Sequence, residues 1–379
     1  MAAAPPASAM DFQAHGYAAQ GFVLSSGNNV FGDSTHGSIN YFELGVNGVL
    51  QLRPDLLVAA QAAARDAGAT DTGVPRLDYY LVDYRPLSRP DGDLGLRIGK
   101  VKTPLGFFNA TRDVIFTRPG ILLPSIYADN QGTRNILFAA QGAQIYGDYQ
   151  AGAHDLSITG TLTRNRNLSD SQKHLLIDLG GLPFNLRLTH SWNLQVMDSF
   201  DAGRWQLAYS HFYGRFLLST DPSVDLFGNL QAGIDIFSAR YNAQHYSITA
   251  EYGRNPNIEY VTVSKQPYVV QKTIGDGAYL QGDYHINPRW DAMLRFNASF
   301  SDEGDRNGHK YANENPGGDA FSRFAYDLTV GASWRIEHWG AWGEYHWING
   351  TETVQPLDNV GRTPNDLWSL FMLMVAYKF

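Results

Sequence analysis

The chain runs to 379 residues with a formal net charge of −8, 17% charged residues, 13% aromatics, 38 glycines and no cysteine. A soluble chain of this length would hold two or three domains and about a quarter charged residues. This one is too poor in charge for that, has no apolar run near the roughly 20 residues of a membrane helix, and shows no basic stripe that would fit nucleic acid. Its apolar residues are dispersed in short alternation instead, the composition of a β-barrel set in a membrane. The lack of cysteine agrees with export through an oxidising compartment.

Residues 1–9 read MAAAPPASA and end in Ala7-Ser8-Ala9. Small residues at these positions fit the remnant of a secretory signal peptide, the other reading being a flexible tail. The barrel is expected over residues 10–379, entering its first strand directly, with no plug or periplasmic module ahead of it. From Asp11 onward two kinds of connection alternate. Short polar turns fall near Arg53–Asp55, Ser88–Asp93, Gln150–Asp155, Asp201–Gly203, Asn242–His245, Asn287–Arg289 and Glu337–Gly340. Longer segments fall near 25–40, 66–75, 102–135, 165–183, 219–230, 254–276, 302–321 and 350–366. Seven short and eight long connections join sixteen strands, and counts of 14 or 18 would break the alternation. The expectation is an all-β, transmembrane, antiparallel barrel with both ends on the short-turn side. Closure is required because an open edge in lipid leaves backbone groups unpaired.

Along the chain, the fourth strand carries Asp78 and Asp83 on opposite faces of one alternation, so it either holds a bulge or brings one of them to the membrane edge. The fifth strand, Leu94 to Val101, leads into the longest loop. That loop contains Phe107, Phe108, Ile115, Phe116, Ile121, Leu122, Leu123 and Ile126, which is unusual for a segment in water. Folding inward against the barrel wall would bury them. Further on, Leu186, Leu188, Trp192, Leu194 and Val196 oppose Arg187, Thr189, Ser191, Asn193 and Gln195. Trp290 to Phe300 and Phe324 to Ile336 alternate in the same way, with a period of two over the 9–11 residues that cross a bilayer. Tyr79, Tyr80, Tyr84, Trp205, Tyr284, Trp290, Trp339, Trp347 and Trp368 read as interface girdles.

The final segment places Phe371, Leu373, Val375, Tyr377 and Phe379 at every second position. It resembles the assembly signal of Gram-negative outer-membrane proteins, which implies the barrel assembly machinery as a partner through Phe379. Sixteen-stranded porins fold the loop after their fifth strand into the channel, and this sequence is similar to them in that order. Gly99-Lys100-Val101-Lys102-Thr103-Pro104-Leu105-Gly106, followed by Thr111-Arg112-Asp113, also resembles the phosphate-selective porin O and P family over about forty residues. The arginine ladder and lysine clusters behind that family's selectivity have no match here, so phosphate specificity is not implied. The porin resemblance implies a bacterial outer-membrane location among lipid and lipopolysaccharide, a homotrimer, and passive diffusion of small polar solutes.

Between Lys100 and Asn135, five basic residues (Lys100, Lys102, Arg112, Arg118, Arg134) face two acids, Asp113 and Asp129. Lining a narrow pore, this excess would favour anions; equally, Arg112 and Asp113 could anchor the loop through ion pairs and select nothing. The expected lumen wall holds Arg97, Arg187, Arg295, Arg323 and Arg335 with Asp235, Glu251, Asp283, Asp327 and Glu344. His338, Glu344 and His346 lie close together without metal-ligand spacing, and the acids of 302–321 match no calcium loop. No nucleophile elbow, phosphate loop or zinc signature occurs. The sequence therefore points to no catalysis, metal or cofactor. The other readings of such a barrel are a substrate-specific or polymer-exporting channel and a lipid-modifying enzyme.

Overall fold

The computed structural model describes residues 11–128, 134–176, 183–221, 226–263 and 266–379; the N-terminal signal reading, on residues 1–9, lies outside them. Sixteen long strands form one closed antiparallel sheet. The first seven are β1 (Asp11–Ser25), β2 (Phe42–Arg53), β3 (Leu56–Asp66), β4 (Arg76–Arg89), β5 (Gly92–Lys102), β6 (Ala139–Ala151) and β7 (His154–Thr163). There follow β8 (Phe184–Phe200), β9 (Trp205–Thr220), β10 (Leu226–Asn242), β11 (Tyr246–Val263) and β12 (Gln266–Asn287). The circuit ends with β13 (Trp290–Phe300), β14 (Phe324–Ile336), β15 (Trp339–Gly350) and β16 (Leu367–Lys378). Each strand pairs with the next, and β16 closes on β1 with Gln20 opposite Val375. Every backbone edge is thus paired, as a lipid setting demands.

The seven short turns fall where the sequence places them. Two of the expected long loops do not. Thr220 and Leu226 already belong to strands, and the segment expected as a loop at 254–276 is a ladder, running from Asn255 opposite Gly275 to Val263 opposite Gln266. Its sequence, rich in Val, Thr, Ile and Tyr, suits extended pairing. A period-of-two reading misses it because its composition is more polar than that of the lipid-facing spans.

Alternation sets inside from outside. On β13 and β14 the faces are as the sequence has them: Leu294 and Phe296 are exposed on the outer wall, while Arg295, Asn297 and Thr329 are buried. On β8 the alternation reverses. A register shift opposite Arg215 and Phe216 lets Leu186 and Leu188 point inward above it and Ser191, Asn193 and Gln195 below it. The single face expected for Leu186 through Val196 is therefore split by a bulge. A second shift, at Gln61 and Ala62, leaves Asp78 unpaired in the ladder beside Tyr79, so Asp78 and Asp83 are both buried. This settles the fourth strand in favour of a bulge.

Trp205, Trp290 and Trp339 are exposed beside the short turns, as girdle residues should be. Trp368 is not one of them. It is buried against Ile348 and Leu370, and its indole N–H donates to the Gly350 carbonyl at 3.1 Å. Tyr79 is no girdle residue either, since its ring lies under the Lys102 ammonium at 4.8 Å. Inside the wall, Gly95 leaves the space that the Tyr146 ring occupies; any Cβ there would collide with it.

Candidate functional site

The loop between β5 and β6, residues 103–138 (here L3), turns into the barrel. Its apolar residues explain why. Ile115, Ile121 and Leu122 pack with Val23, Trp342 and Met372 of the inner wall, while Leu105, Phe108 and Leu123 pack with Phe212, Ile236 and Tyr279 across the lumen. Burying a side chain of this size contributes roughly 1.5–3 kcal/mol, so a loop with this many apolar groups has a strong drive to leave water. The expected infolding after the fifth strand is what the chain adopts.

Polar bonds from the wall fix the path. The Asn193 amide donates to the Pro104 carbonyl at 2.7 Å and that of Gln195 to the Gly106 carbonyl at 2.8 Å. Glu251 accepts from the Phe107 N–H at 2.9 Å and from the hydroxyls of Tyr127 and Tyr279, each at 2.7 Å. Burial, with Glu251 alongside, pushes the Tyr127 hydroxyl well above its ordinary value, so it stays a donor. Glu344 accepts from the backbone N–H groups of Ile121 and Leu122 at 2.6 and 3.3 Å. Behind Glu344 stands His346, whose two ring nitrogens lie 3.3 Å from Glu344 and 3.1 Å from Asp327. The loop is held by amides of β8 and by carboxylates of β11 and β15.

The basic residues singled out in the sequence fall into place as follows. Arg118 meets Glu43 in a buried ion pair. Arg112 is buried and donates to the Asn109 side chain at 3.0 Å. Lys102 lies 2.9 Å from Asp113, which also accepts from Gln61 at 2.7 Å. Arg134, at the far end of L3, lies 2.6 Å from Asp78. Lys100 donates to the Leu77 carbonyl at 2.6 Å and continues the outer face of β5. Among the expected wall residues, Arg97 pairs with Asp83 at 3.0 Å and Arg295 donates to the Leu122 carbonyl at 3.1 Å. Asp327 joins the His346 cluster, and Arg335 pairs with Asp291 near the short turns.

Three others sit elsewhere. Arg187 lies between the inward Leu186 and Leu188 and is exposed on the outer face. Asp235 alternates with the inward Ile236 and faces outward, 2.7 Å from His211. Arg323 belongs to the loop before β14, its guanidinium 4.6 Å from the Tyr311 ring centroid.

Beneath L3 a cavity of about 290 Å³ opens between the loop and the wall. Asp283 lines it, with Thr117, Pro119, His285, Asp291, Arg335 and a residue the sequence reading did not select, Arg240. The Arg240 guanidinium lies 4.9 and 5.1 Å from the Phe107 and Phe108 ring centroids, and its Nε donates to Thr249 at 3.0 Å. Among the described residues no carboxylate lies within ion-pair distance of it. Parity on β10 with the inward Ile236 and Ser238 was the signal that could have found it. No group of acidic and histidine residues that could hold a metal occurs among the described residues.

No family model matches the sequence, and no curated protein does. Solved structures do match over the full barrel. The outer-membrane channel DcaP of Acinetobacter baumannii is 12% identical with a TM-score of 0.58, all of both chains being covered. Salmonella typhi OmpF in complex with daunomycin is 13% identical with a TM-score of 0.58, covering 97% of each chain. An anion-selective porin from Comamonas acidovorans is 12% identical at 0.58, covering 98% of this chain and all of that one. At these identities the likeness is one of fold: the chain has the barrel of outer-membrane porins and channels.

Proposed function

We propose that this chain is an outer-membrane porin, a water-filled channel through which small polar solutes diffuse, working as a homotrimer and without covalent chemistry. The observation that carries the reading is L3, folded inside the barrel and bonded to Glu43, Glu251 and Glu344 of the wall. A loop fixed in this way narrows the passage without closing it by itself, and leaves a cavity walled by both signs of charge. Opposed charges along a wet passage orient dipolar solutes and their hydration water while holding none of them tightly.

The finer reading is a weak preference for anions. Lys102, Arg112 and Arg118 give the segment its positive excess, but each has partners, and the groups lining the cavity include Asp283 and Asp291 beside Arg240 and Arg335. A modest bias set chiefly by Arg240 fits this balance, since salt limits the reach of each charge to about 10 Å at 0.1 M. Planar-bilayer recording tests the channel reading. The purified protein should give discrete conductance steps, and deleting about ten residues around Arg112 should enlarge them by removing material from the narrowest section. An assembled barrel with no conductance, or steps unchanged by the deletion, would count against it.

A further inference from the structure

At mid-height the outer wall of β12 to β14 is apolar. Leu280, Phe296 and Leu328 form one row across these strands, and all three are exposed. Phe296 lies six residues from the girdle residue Trp290. On β9 and β10 the equivalent positions are His211, six residues from Trp205, and Asp235, six from Tyr241, which pair across the ladder. Six residues advance about 20 Å along a strand and, at the usual tilt, rise about 15 Å, to the middle of a lipid belt roughly 25 Å tall.

This part of the outer wall is polar. The His211 Nδ1 and the Tyr209 hydroxyl both lie 2.7 Å from Asp235 Oδ1. Further along, the Tyr213 hydroxyl donates to the Gln231 side chain at 3.3 Å, and Arg215 Nε donates to Asn229 at 3.1 Å. All of these have odd numbers and face outward, since Ala208, Ser210, Phe212 and Ile236 of the other parity are buried inside. Arg254, opposite Asp235 in register, is taken up by Glu303 at 2.7 Å. Much bonding capacity is left over. Among the described residues, Asp235 Oδ2, the second His211 ring nitrogen, the Gln231 amide N–H groups and the terminal Arg215 nitrogens have no protein partner. Lipid tails offer such groups nothing, so a wall of this kind is favourable only under a polar cover.

The two edges of the polar stripe differ. On β8, His190 and Trp192 are exposed, and the Trp192 ring lies 4.6 Å from that of His211. On β10 stands the carboxylate of Asp235, with Asn229 and Gln231 beside it. Basic and donor groups towards one edge and an acid at the other suit a head-to-tail contact, which closes into a ring of identical subunits. Exposed Leu207, Phe227 and Phe237 border the stripe and supply the apolar and aromatic area that a subunit interface needs.

We propose that the outer wall of β8 to β10 is covered by a second copy of this chain, the β8 edge of one subunit meeting the β10 edge of the next. This face belongs to the homotrimer proposed above, on which the inference rests.

Cysteine cross-linking of the full chain tests it, since the native sequence has no cysteine. His190 and Gln231 both pair with Arg215, from opposite sides. They lie two strands apart, too far for an internal disulfide. His190→Cys with Gln231→Cys should therefore link subunits on mild oxidation. Leu280→Cys with Leu328→Cys, equally spaced on the apolar wall, should not. His211→Leu with Asp235→Leu should give folded monomers, by light scattering and unheated gel mobility, whereas on a lipid-facing wall the same change would leave the trimer intact. Should that variant fail to fold, the cysteine pairs decide. A trimer that links through Leu280 and Leu328, that links through neither pair, or that survives His211→Leu with Asp235→Leu overturns this face and leaves the trimer standing. A wild type that is monomeric in mild detergent and shows no chemical cross-links in native membranes overturns the homotrimer, and this face with it.

Discussion

Arg118 of L3 and Glu43 of β2 form a buried two-point ion pair, the two terminal guanidinium nitrogens lying 2.9 and 2.7 Å from the two carboxylate oxygens. Glu43 also receives Arg65 at 3.1 Å and the Tyr41 hydroxyl at 2.8 Å. One carboxylate thus ties L3 to the wall and is shared between two arginines, Arg65 also lying 3.6 Å from Asp71. Breaking a buried pair by removing one partner costs about 3–5 kcal/mol, because the other charge is left uncompensated. Glu43→Gln is therefore expected to assemble a barrel whose L3 is loosened. Hydrogen exchange at residues 115–122 should rise steeply while strands away from the loop stay protected, and single-channel traces should become noisier. Protection of L3 equal to wild type would show that apolar packing alone holds it.

Arg240 gives a test of charge selectivity that is independent of the loop anchors. It lines the cavity over Phe107 and Phe108 and has no carboxylate partner among the described residues. Lys102, by contrast, is neutralised by Asp113 at 2.9 Å. Reversal potentials measured across a potassium chloride gradient should therefore move towards cation preference more in Arg240→Gln than in Lys102→Gln. A larger shift in the lysine variant would mean that the Lys102–Asp113 pair is open to the passage and Arg240 is screened from it.

The loop between β13 and β14 carries a pH-sensitive element. The Asp305 carboxylate accepts the backbone N–H groups of Tyr311 and Lys310 at 2.8 and 3.1 Å, at the start of the short helix His309–Glu314. Those hydrogen bonds, the one from Tyr311 foremost, hold its carboxyl below the usual carboxylate range. A carboxyl lowered in the folded state contributes stability above its unfolded value, and that contribution fades as pH falls through the folded one. As pH falls below about 4, the ordinary aspartate value, exchange at Lys310 and Tyr311 should rise once corrected for intrinsic rates. Strand Phe324–Ile336 should not respond, and Asp305→Asn should abolish the dependence. Equal pH dependence in loop and strand would instead point to loosening of the whole barrel.

Much of this protein was legible in its sequence because a period of two is a local property. Alternation along Trp290–Phe300 and Phe324–Ile336, the short turns, and the sixteen-strand count they require all follow from residues adjacent in the chain. So does the infolding of L3, since a loop carrying Ile115, Ile121, Leu122 and Leu123 has to bury them. Where the local pattern is interrupted the reading failed. One bulge after Leu188 reverses the faces of β8 and sends Arg187 outward, and the hairpin through Asn255 and Gly275 continues the barrel where a loop was expected.

The partners of the charges were decided only by the tertiary structure. Glu43 and Arg118 are 75 residues apart in sequence and Ile121 and Glu344 are 223 apart, and nothing in either stretch announces the other. They meet because closure of β16 on β1 curls the sheet until walls distant in sequence face one lumen, and L3 spans it. The charge content of L3 was therefore visible in advance. Which charges are consumed in holding the loop, and that Arg240 is left facing the cavity, depended on the closed barrel, because ion pairing is set by distance across the lumen and not by spacing along the chain.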